Sequence, residues 1–410
     1  MDLYSTIVIG AGPVGSYLAG KLAQLGYKVL VLDKKSAAGQ DICCTGIISK
    51  DCFNLLPANI NLAKRPVCSA RFVAPSGKSL KLSRSDEVAY IVDRVALEQV
   101  LVDYAQASSV RYLFDSDVID IQVSTGCLQV TANCGGHKST FEAETAVIAT
   151  GFGSPLPARL GLGEISKFVI GAQAEVSIKD IDDIEIYFDR RLDPGGFSWL
   201  VPIGDNRGLV GQLTDRHPKR YFKKLLAALK TQGKIATTEV IPDYRLIPLQ
   251  SLPRTYSDRL LVVGEAAGQV KPTTGGGIYY GLVCADIAAD TLHQAFQAHE
   301  FSGSRLASYE KMWRARLGKE LIVGYWAHRI YRMLDNRNIE RLYNFISHNG
   351  MPQFIAELDD FPFDRHSELI LKMLKHLAMA IPAMAIKPLI KHKVITNSLM
   401  SRQSYRFKEQ

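Results

Sequence analysis

Residues Thr6-Ile7-Val8-Ile9 form a short apolar run that enters Gly10-Ala11-Gly12-Pro13-Val14-Gly15 and passes straight into an Ala- and Leu-rich stretch reaching about Leu25. A strand, a glycine turn and a helix in this order leave few folds open. Gly10 permits the tight turn, Gly12 lets the backbone approach a pyrophosphate, and Gly15 lets the helix pack closely on the strand. Pro13 and Val14 open the helix, whose free N–H groups and dipole favour an anion. A second strand, Lys28 to Leu32, ends in Asp33 with Lys34 beside it, about twenty residues after the turn, where a carboxylate accepts hydrogen bonds from ribose hydroxyls and disfavours a 2′-phosphate. The expectation is a dinucleotide site built on a βαβ unit.

A chain of 410 residues with 47% hydrophobic and 22% charged content has the composition of a globular protein of two or three domains. Its seven cysteines include the adjacent pair Cys43-Cys44 but no CxxC pair and no histidine cluster at zinc spacing. Neither a metal site nor a disulfide scaffold is expected, and a reducing cytoplasm suits the chain better than export. Met1 to Tyr4 lead directly into the first strand, which leaves no room for a signal peptide. No apolar run reaches the roughly eighteen residues that span a bilayer, so membrane contact is expected to be peripheral. The net charge of +8 is not accompanied by a nucleic-acid-binding motif, and nucleic acid is not an expected partner.

Further along, Cys43 to Cys52 reads as loop and turn, and Val67 to Leu82 as hairpin strands around Pro75-Ser76-Gly77. Asp93 is placed to cap a helix running through Tyr104. Strands follow at Val110–Phe114, Val118–Val123, Leu128–Ala132 and Thr145–Ala149, the last delivering Thr150-Gly151. From Lys167 to Gln212 the pattern is β, with strands at Val169–Val176, Ile184–Phe188, Phe197–Pro202 and Gly208–Gln212. A helix is expected at Tyr221–Gln232, a buried strand at Arg259–Val263, and a helix from Ile278 to Ala295 after a glycine cluster. Beyond Ser304 the chain reads as wholly helical, near Arg305–Asp335, Ile339–Ser347 and from Glu368 onward.

The glycine turn, the Asp93-Arg94 helix start and the run Gly264-Glu265-Ala266-Ala267-Gly268 with its later Pro and Gly cluster together resemble the para-hydroxybenzoate-hydroxylase-like flavoproteins. Cys44-Thr45-Gly46-Ile47, Gly196-Phe197-Ser198-Trp199-Leu200-Val201-Pro202, Lys271-Pro272-Thr273-Thr274-Gly275-Gly276-Gly277-Ile278 and Tyr309-Glu310-Lys311-Met312-Trp313-Arg314 narrow the resemblance to the geranylgeranyl reductase family. The fold class it implies is α/β: a doubly wound, Rossmann-like FAD-binding domain with an inserted β-rich substrate domain and a C-terminal helical region. The boundaries expected are 1–66, 88–165 and 254–300 for the FAD domain, 67–87 and 166–253 for the substrate domain, and 301–410 for the helical region.

The resemblance implies FAD as cofactor, held by Gly10, Gly12, Pro13, Val14, Gly15, Asp33, Lys34, Cys44, Gly46, Arg94, Gly151, Gly264, Glu265, Gly268, Pro272, Gly275, Gly276, Gly277 and Ile278. Glu265 would take a ribityl hydroxyl, Ala266 to Gly268 would admit the pyrophosphate and begin a helix, and Gly275 to Gly277 would offer bare N–H groups to the isoalloxazine edge. Arg94 suits pyrophosphate neutralisation. Cys44, Gly46 and Tyr279 are the catalytic candidates, Cys44 as a proton donor because a thiol of pKa about 8.5 is an acid at neutral pH. Phe197, Trp199, Pro202 and Tyr280 are candidates to line a prenyl tunnel.

The activity implied is saturation of C=C bonds of geranylgeranyl or other prenyl groups, on a lipid, lipid precursor or prenyl diphosphate, with NAD(P)H or a ferredoxin-like protein as electron donor. A monomer is expected. Glu265 stands where the family usually has Asp, Thr150 where an Asp is often seen, and Ile203 where a basic residue is common. A flavin monooxygenase or halogenase of the same fold is the alternative; a redox-neutral cyclase and a flavin-bearing lipid carrier complete the field. Leu369 to Lys393, rich in Leu, Ile and Lys, reads as basic amphipathic helix suited to an anionic membrane surface at the cytoplasmic face.

Overall fold

The computed structural model describes residues 3–380 apart from 59, 61, 125 and 360. The chain opens with β1 (Tyr4–Ile9), α1 (Pro13–Gln24) and β2 (Val29–Leu32), the strands being apolar because both faces are buried. Cys43 to Cys52 is not loop throughout: β3 (Ile47–Ser49) and α2 (Lys50–Leu55) occupy its second half, Ser49 capping the helix by accepting from the Cys52 N–H at 2.8 Å. β4 (Lys64–Val67), β5 (Ser69–Val73), β6 (Ser79–Ser83) and β7 (Ala89–Val92) follow, then α3 (Arg94–Ala107) with Asp93 as its cap.

Next come β8 (Arg111–Leu113), β9 (Ser116–Val123), β10 (Leu128–Cys134), β11 (His137–Ile148) and the short α4 (Leu156–Arg159). The β-rich stretch holds β12 (Phe168–Ser177), β13 (Ile184–Tyr187), β14 (Ser198–Gly204) and β15 (Arg207–Thr214), then α5 (Pro218–Thr231) and a strand not expected from the sequence, β16 (Asp243–Pro248). β17 (Tyr256–Ser257) and β18 (Leu260–Val262) precede α6 (Ile278–Gln297). The described remainder is helical: α7 (Gly303–Met333), α8 (Asn336–His348), α9 (Met351–Ala356) and α10 (His366–Ala380). Of the basic stretch expected to meet a membrane, the part beyond residue 380 lies outside the described residues.

Three sheets organise these elements. The first runs β17-β18-β11-β1-β2-β8, with β18, β11, β1, β2 and β8 parallel, and β9 and β10 extending β11 as an antiparallel flap. Because these strands are parallel, the loops leaving β1, β2, β11 and β18 all emerge at one sheet edge, and the reversal of chain order at β1 opens there the crevice in which such sheets bind ligands. The second sheet runs β16-β12-β15-β14-β13-β5-β6, so strands from residues 69–83 join those from 168–248. One of its faces is covered by α5, through Phe222, Leu225, Leu226 and Leu229 on Ala172, Ala174, Leu200 and Val210. The opposite face carries Trp199, Val201 and Ile186 against the small third sheet, β3-β7-β4.

Candidate active site

The glycine turn has the form its spacing requires. A methyl built on Gly10 would lie 2.4 Å from the Ala149 carbonyl oxygen and one on Gly15 2.0 Å from that of Gly10, whereas Gly12 faces open space within 4 Å. Asp33, at the end of β2, ties the turn down by accepting from the Ala11 N–H at 2.5 Å through Oδ2 and from the Lys35 N–H at 2.8 Å through Oδ1. Lys34 is exposed beside it. Pro13 is the first residue of α1, and the Val14 side chain inserts between Gly264 and Gly281, where a methyl on the latter would approach it to 2.3 Å.

Arg94 supplies the test of whether this edge fits a dinucleotide. Its side chain is buried at the start of α3 and its Nη2 donates to Glu98 at 3.1 Å, but Nε and Nη1 are buried without a partner among the described residues. Unbonded donors on a buried guanidinium are costly unless a ligand takes them. Gly46 packs directly against Arg94: a methyl there would meet the Val92 carbonyl oxygen at 2.2 Å and the Arg94 Cγ at 3.2 Å, and its φ of +75° suits glycine. An acceptor-rich group such as FAD satisfies the donors that the protein leaves open.

A second cluster forms where β11 and β18 end. Glu265 lies in a single 3-10 turn, Gly264–Ala267, and does not begin a long helix as expected; α6 starts only at Ile278, after the glycine loop. Its Oε2 accepts from Arg245 Nη2 on β16 at 3.1 Å, and a methyl on Gly151 would lie 3.0 Å from the same Nη2. Gly268 is required by crossing backbone, since a methyl on it would lie 2.1 Å from the Gln250 carbonyl oxygen. Sequence reasoning missed Arg245, although alternation in Tyr244-Arg245-Leu246-Ile247 was the available signal.

The Cys43–Gly46 loop closes over this corner. Cys43 Sγ donates to the Asp243 carbonyl oxygen at 3.7 Å, and Thr45 Oγ1 donates to Gln173 Oε1 at 2.8 Å. Burial, then the Asp243 charge, pushes the Cys43 thiol up to about 11, so it keeps its proton at neutral pH. Cys44 lies half-buried within the electrostatic surroundings of Arg245.

The glycine loop joins both sheets. The Gly275 N–H is not bare, because it donates to the Lys271 carbonyl at 2.8 Å, which removes it from the expected set of free donors. A methyl on Gly275 would lie 3.2 Å from Ile247 Cδ1 and 3.7 Å from Leu213 Cδ1, so the loop rests on the apolar face of the second sheet. Gly276 leaves room for the Lys271 stem, Gly277 stands against Glu265, and Ile278 begins α6. Pro272 packs beneath Gly324 of α7. Lys271 is buried and pairs with buried Asp364 at 2.7 Å, with Phe363 under its ammonium at 4.9 Å, while Thr273 Oγ1 bonds His366 Nδ1. This pin, 93 residues apart in sequence, was also missed.

Of the aromatic candidates, Phe197 and Trp199 share one sheet face with Ile247, Leu213 and Tyr325 of α7, their rings 5.7 Å apart. Trp199 lies flat over Gly211, where a methyl would come within 2.2 Å of the indole. Pro202 is a correction: by strand alternation it turns to the α5 side with Leu200, away from Trp199. Tyr280 is another, being buried in the first-sheet core with its hydroxyl donating to the Asp364 carbonyl at 3.0 Å. Tyr279 is half-buried in the first turn of α6; burial and then the Asp364 charge raise its phenol above the usual range.

Residues 4–186 match the family model for pyridine nucleotide-disulphide oxidoreductases. Digeranylgeranylglycerophospholipid reductase of Methanocaldococcus jannaschii is 26% identical over 327 residues, covering 77% of this chain and 83% of that protein. Digeranylgeranylglycerophospholipid reductase 2 of Methanothermobacter thermautotrophicus is 28% identical over 333 residues, covering 78% and 85%. Among solved structures, a geranylgeranyl bacteriochlorophyll reductase-like protein of Thermoplasma acidophilum superimposes with a TM-score of 0.81 at 22% identity, covering 95% of this chain and all of that one. A halogenase solved with FAD reaches 0.67 at 14% identity, over 87% and 83%.

The cradle and these matches define an FAD-dependent oxidoreductase. Within that class, the chain is similar in fold to the geranylgeranyl bacteriochlorophyll reductase-like protein and in sequence to the digeranylgeranylglycerophospholipid reductases.

Proposed function

We propose that the protein reduces C=C bonds of prenyl groups carried on a lipid or lipid precursor. The observation that carries this reading is the contact of Gly275 with Ile247 and Leu213, which sets the cofactor loop directly against the aromatic-lined apolar face of Phe197, Trp199 and Tyr325. A long unsaturated chain has apolar surface to match that face and no polar groups to leave unpaired on it. The relatives' names, digeranylgeranylglycerophospholipid reductase, point to the same substrate class. On this reading the second sheet, drawn from residues 67–87 and 166–253, is the substrate-binding domain.

Held by the glycine turn, Arg94 and the glycine loop, FAD would supply, when reduced, hydride for one carbon of the double bond. The chain's own residues hold the cofactor, exclude water and deliver a proton to the other carbon. Cys44 is our candidate for that proton, being adjacent to the Cys43–Asp243 contact and close to Arg245. Tyr279, whose raised phenol stays protonated at neutral pH, is the second. Gly46 contributes sterically, by letting the loop lie on Arg94.

The test is anaerobic. The purified protein is reduced with dithionite and mixed with geranylgeranyl lipids, and flavin reoxidation is followed together with product mass. Reoxidation with two hydrogens gained per bond is expected. Flavin that stays reduced until oxygen enters overturns the proposal and favours the monooxygenase alternative.

A further inference from the structure

Helix α7 has two unlike faces. Its inner face holds Tyr325 against Phe197 and Ile247 and stacks Gly324 on Pro272 of the cofactor loop. Its outer face carries Ile322, Trp326, Ile330 and Met333, spaced by four, four and three residues and therefore on one stripe, exposed by 62%, 45%, 53% and 76%. Met312 extends the stripe toward the N-terminus. An apolar row of this length on which none of the described residues packs marks an interaction face.

The charges around the row indicate what covers it. Lys311, Lys319 and Arg329 lie on the same side of the helix and are exposed, with the Arg329 guanidinium 5.1 Å over the Trp326 ring. The two acids of this helix point elsewhere: Glu310 accepts from Thr255 and Arg314, and Glu320 from Ser367. A second copy of the chain meeting this face would bring basic side chains against basic side chains. An anionic bilayer matches both features, taking the apolar row among its acyl chains and the ammonium and guanidinium groups among its head groups.

We propose that the outer face of α7 docks the protein on an anionic lipid surface, with Ile322, Trp326, Ile330 and Met333 as the inserted row. The docking gains its purpose from the prenyl-lipid reading above: a lipid leaving the bilayer at Trp326 is one helix-width from Tyr325 and the apolar face of the second sheet. Residues 322–333 all belong to the described helix α7.

The experiment uses the full-length, FAD-loaded protein and substrate-free vesicles of phosphatidylglycerol, compared with phosphatidylcholine. Wild type is expected to float with the anionic vesicles, and brominated lipid to quench the fluorescence that Trp326→Phe removes. The triple variant Ile322→Ser, Trp326→Ser and Ile330→Ser changes only exposed positions; it should bind at least about tenfold more weakly while keeping its flavin and its turnover of detergent-dispersed substrate. Flotation unchanged in that variant, equal binding to both vesicle types, or a concentration-dependent dimer abolished by the variant without vesicle binding would each overturn the proposal. Vesicle binding that survives when no prenyl compound reoxidises the flavin leaves the docking surface standing and removes only the substrate reading.

Discussion

Two buried cations flank the cofactor edge, and the protein treats them differently. Lys271 meets Asp364 at 2.7 Å and Phe363 beneath it, so its charge is neutralised within the fold. Arg94 shares one donor with Glu98 and leaves Nε and Nη1 unbonded. The spare hydrogen-bonding capacity at Lys271 is an acceptor, Asp364 Oδ2, whereas at Arg94 it is two donors. The latch pairs its cation with the protein's own atoms; the other cation keeps donors open to a ligand. The contrast separates a residue that holds the C-terminal segment to the glycine loop from one whose open donors we propose for FAD.

The sharpest way to break this comparison is to remove the latch. Asp364→Leu strands a buried ammonium and should destabilise the protein by about 3–5 kcal/mol in urea unfolding, even with FAD absent. Arg94→Lys should behave in the opposite manner. The cofactor-free protein should change by less than about 1 kcal/mol, since an ammonium keeps the buried Glu98 charge paired while the unsatisfied guanidinium donors disappear, whereas FAD affinity falls about ten- to a hundredfold in fluorescence titration. If the two variants lose stability equally without FAD, the distinction fails.

A third buried base sharpens the contrast with a smaller effect. His328 on α7 is 6% exposed, its Nε2 has no partner, and burial, then the Arg332 and Arg190 charges, lower its pKa to about 4. It resolves its burial by giving up its proton. The unfolded chain binds that proton near pH 6.5, so between about pH 6.5 and 4 the unfolded state holds more protons and stability falls as pH falls, by up to about 1.4 kcal/mol per pH unit. Asp193, whose carboxyl burial pushes well above the ordinary carboxylate range, contributes with the opposite sign, stability falling as pH rises through that range. His328→Leu should therefore flatten the acid limb of the stability profile; an unchanged slope would show that the ring does not titrate there.

The difference between latch and cradle also explains what could be read from the chain. The cradle's parts are local: Gly10 to Gly15 follow their own strand, Asp33 ends the next, and Asp93 caps the helix that begins with Arg94. Each has a neighbour in sequence that gives it meaning. Arg245 has none, because β16 is a six-residue edge strand whose place is set by pairing with β12, and only that pairing carries Arg245 to Glu265. Lys271 and Asp364 meet across the whole of α6 and α7, beyond any periodicity. β3 and α2 were too short to show a period, although Ser49 and Asp51 mark a helix start. Pro202 and Tyr280 were misplaced for a related reason: composition identifies aromatic and apolar residues, but only strand alternation and helix phase decide which way they face.

Val14 has a consequence in time as well as in space. Its side chain is clasped by Gly264 and Gly281, one on each side of the glycine loop, and β1 pairs with β11, which in turn pairs with β18. The glycine turn thus waits for residue 281 before its groove closes. A nascent chain released or cut before α6 would carry the glycine turn without the helix that packs on Val14, so this groove closes late in synthesis, timed by the arrival of a single helix rather than by the glycine motif itself.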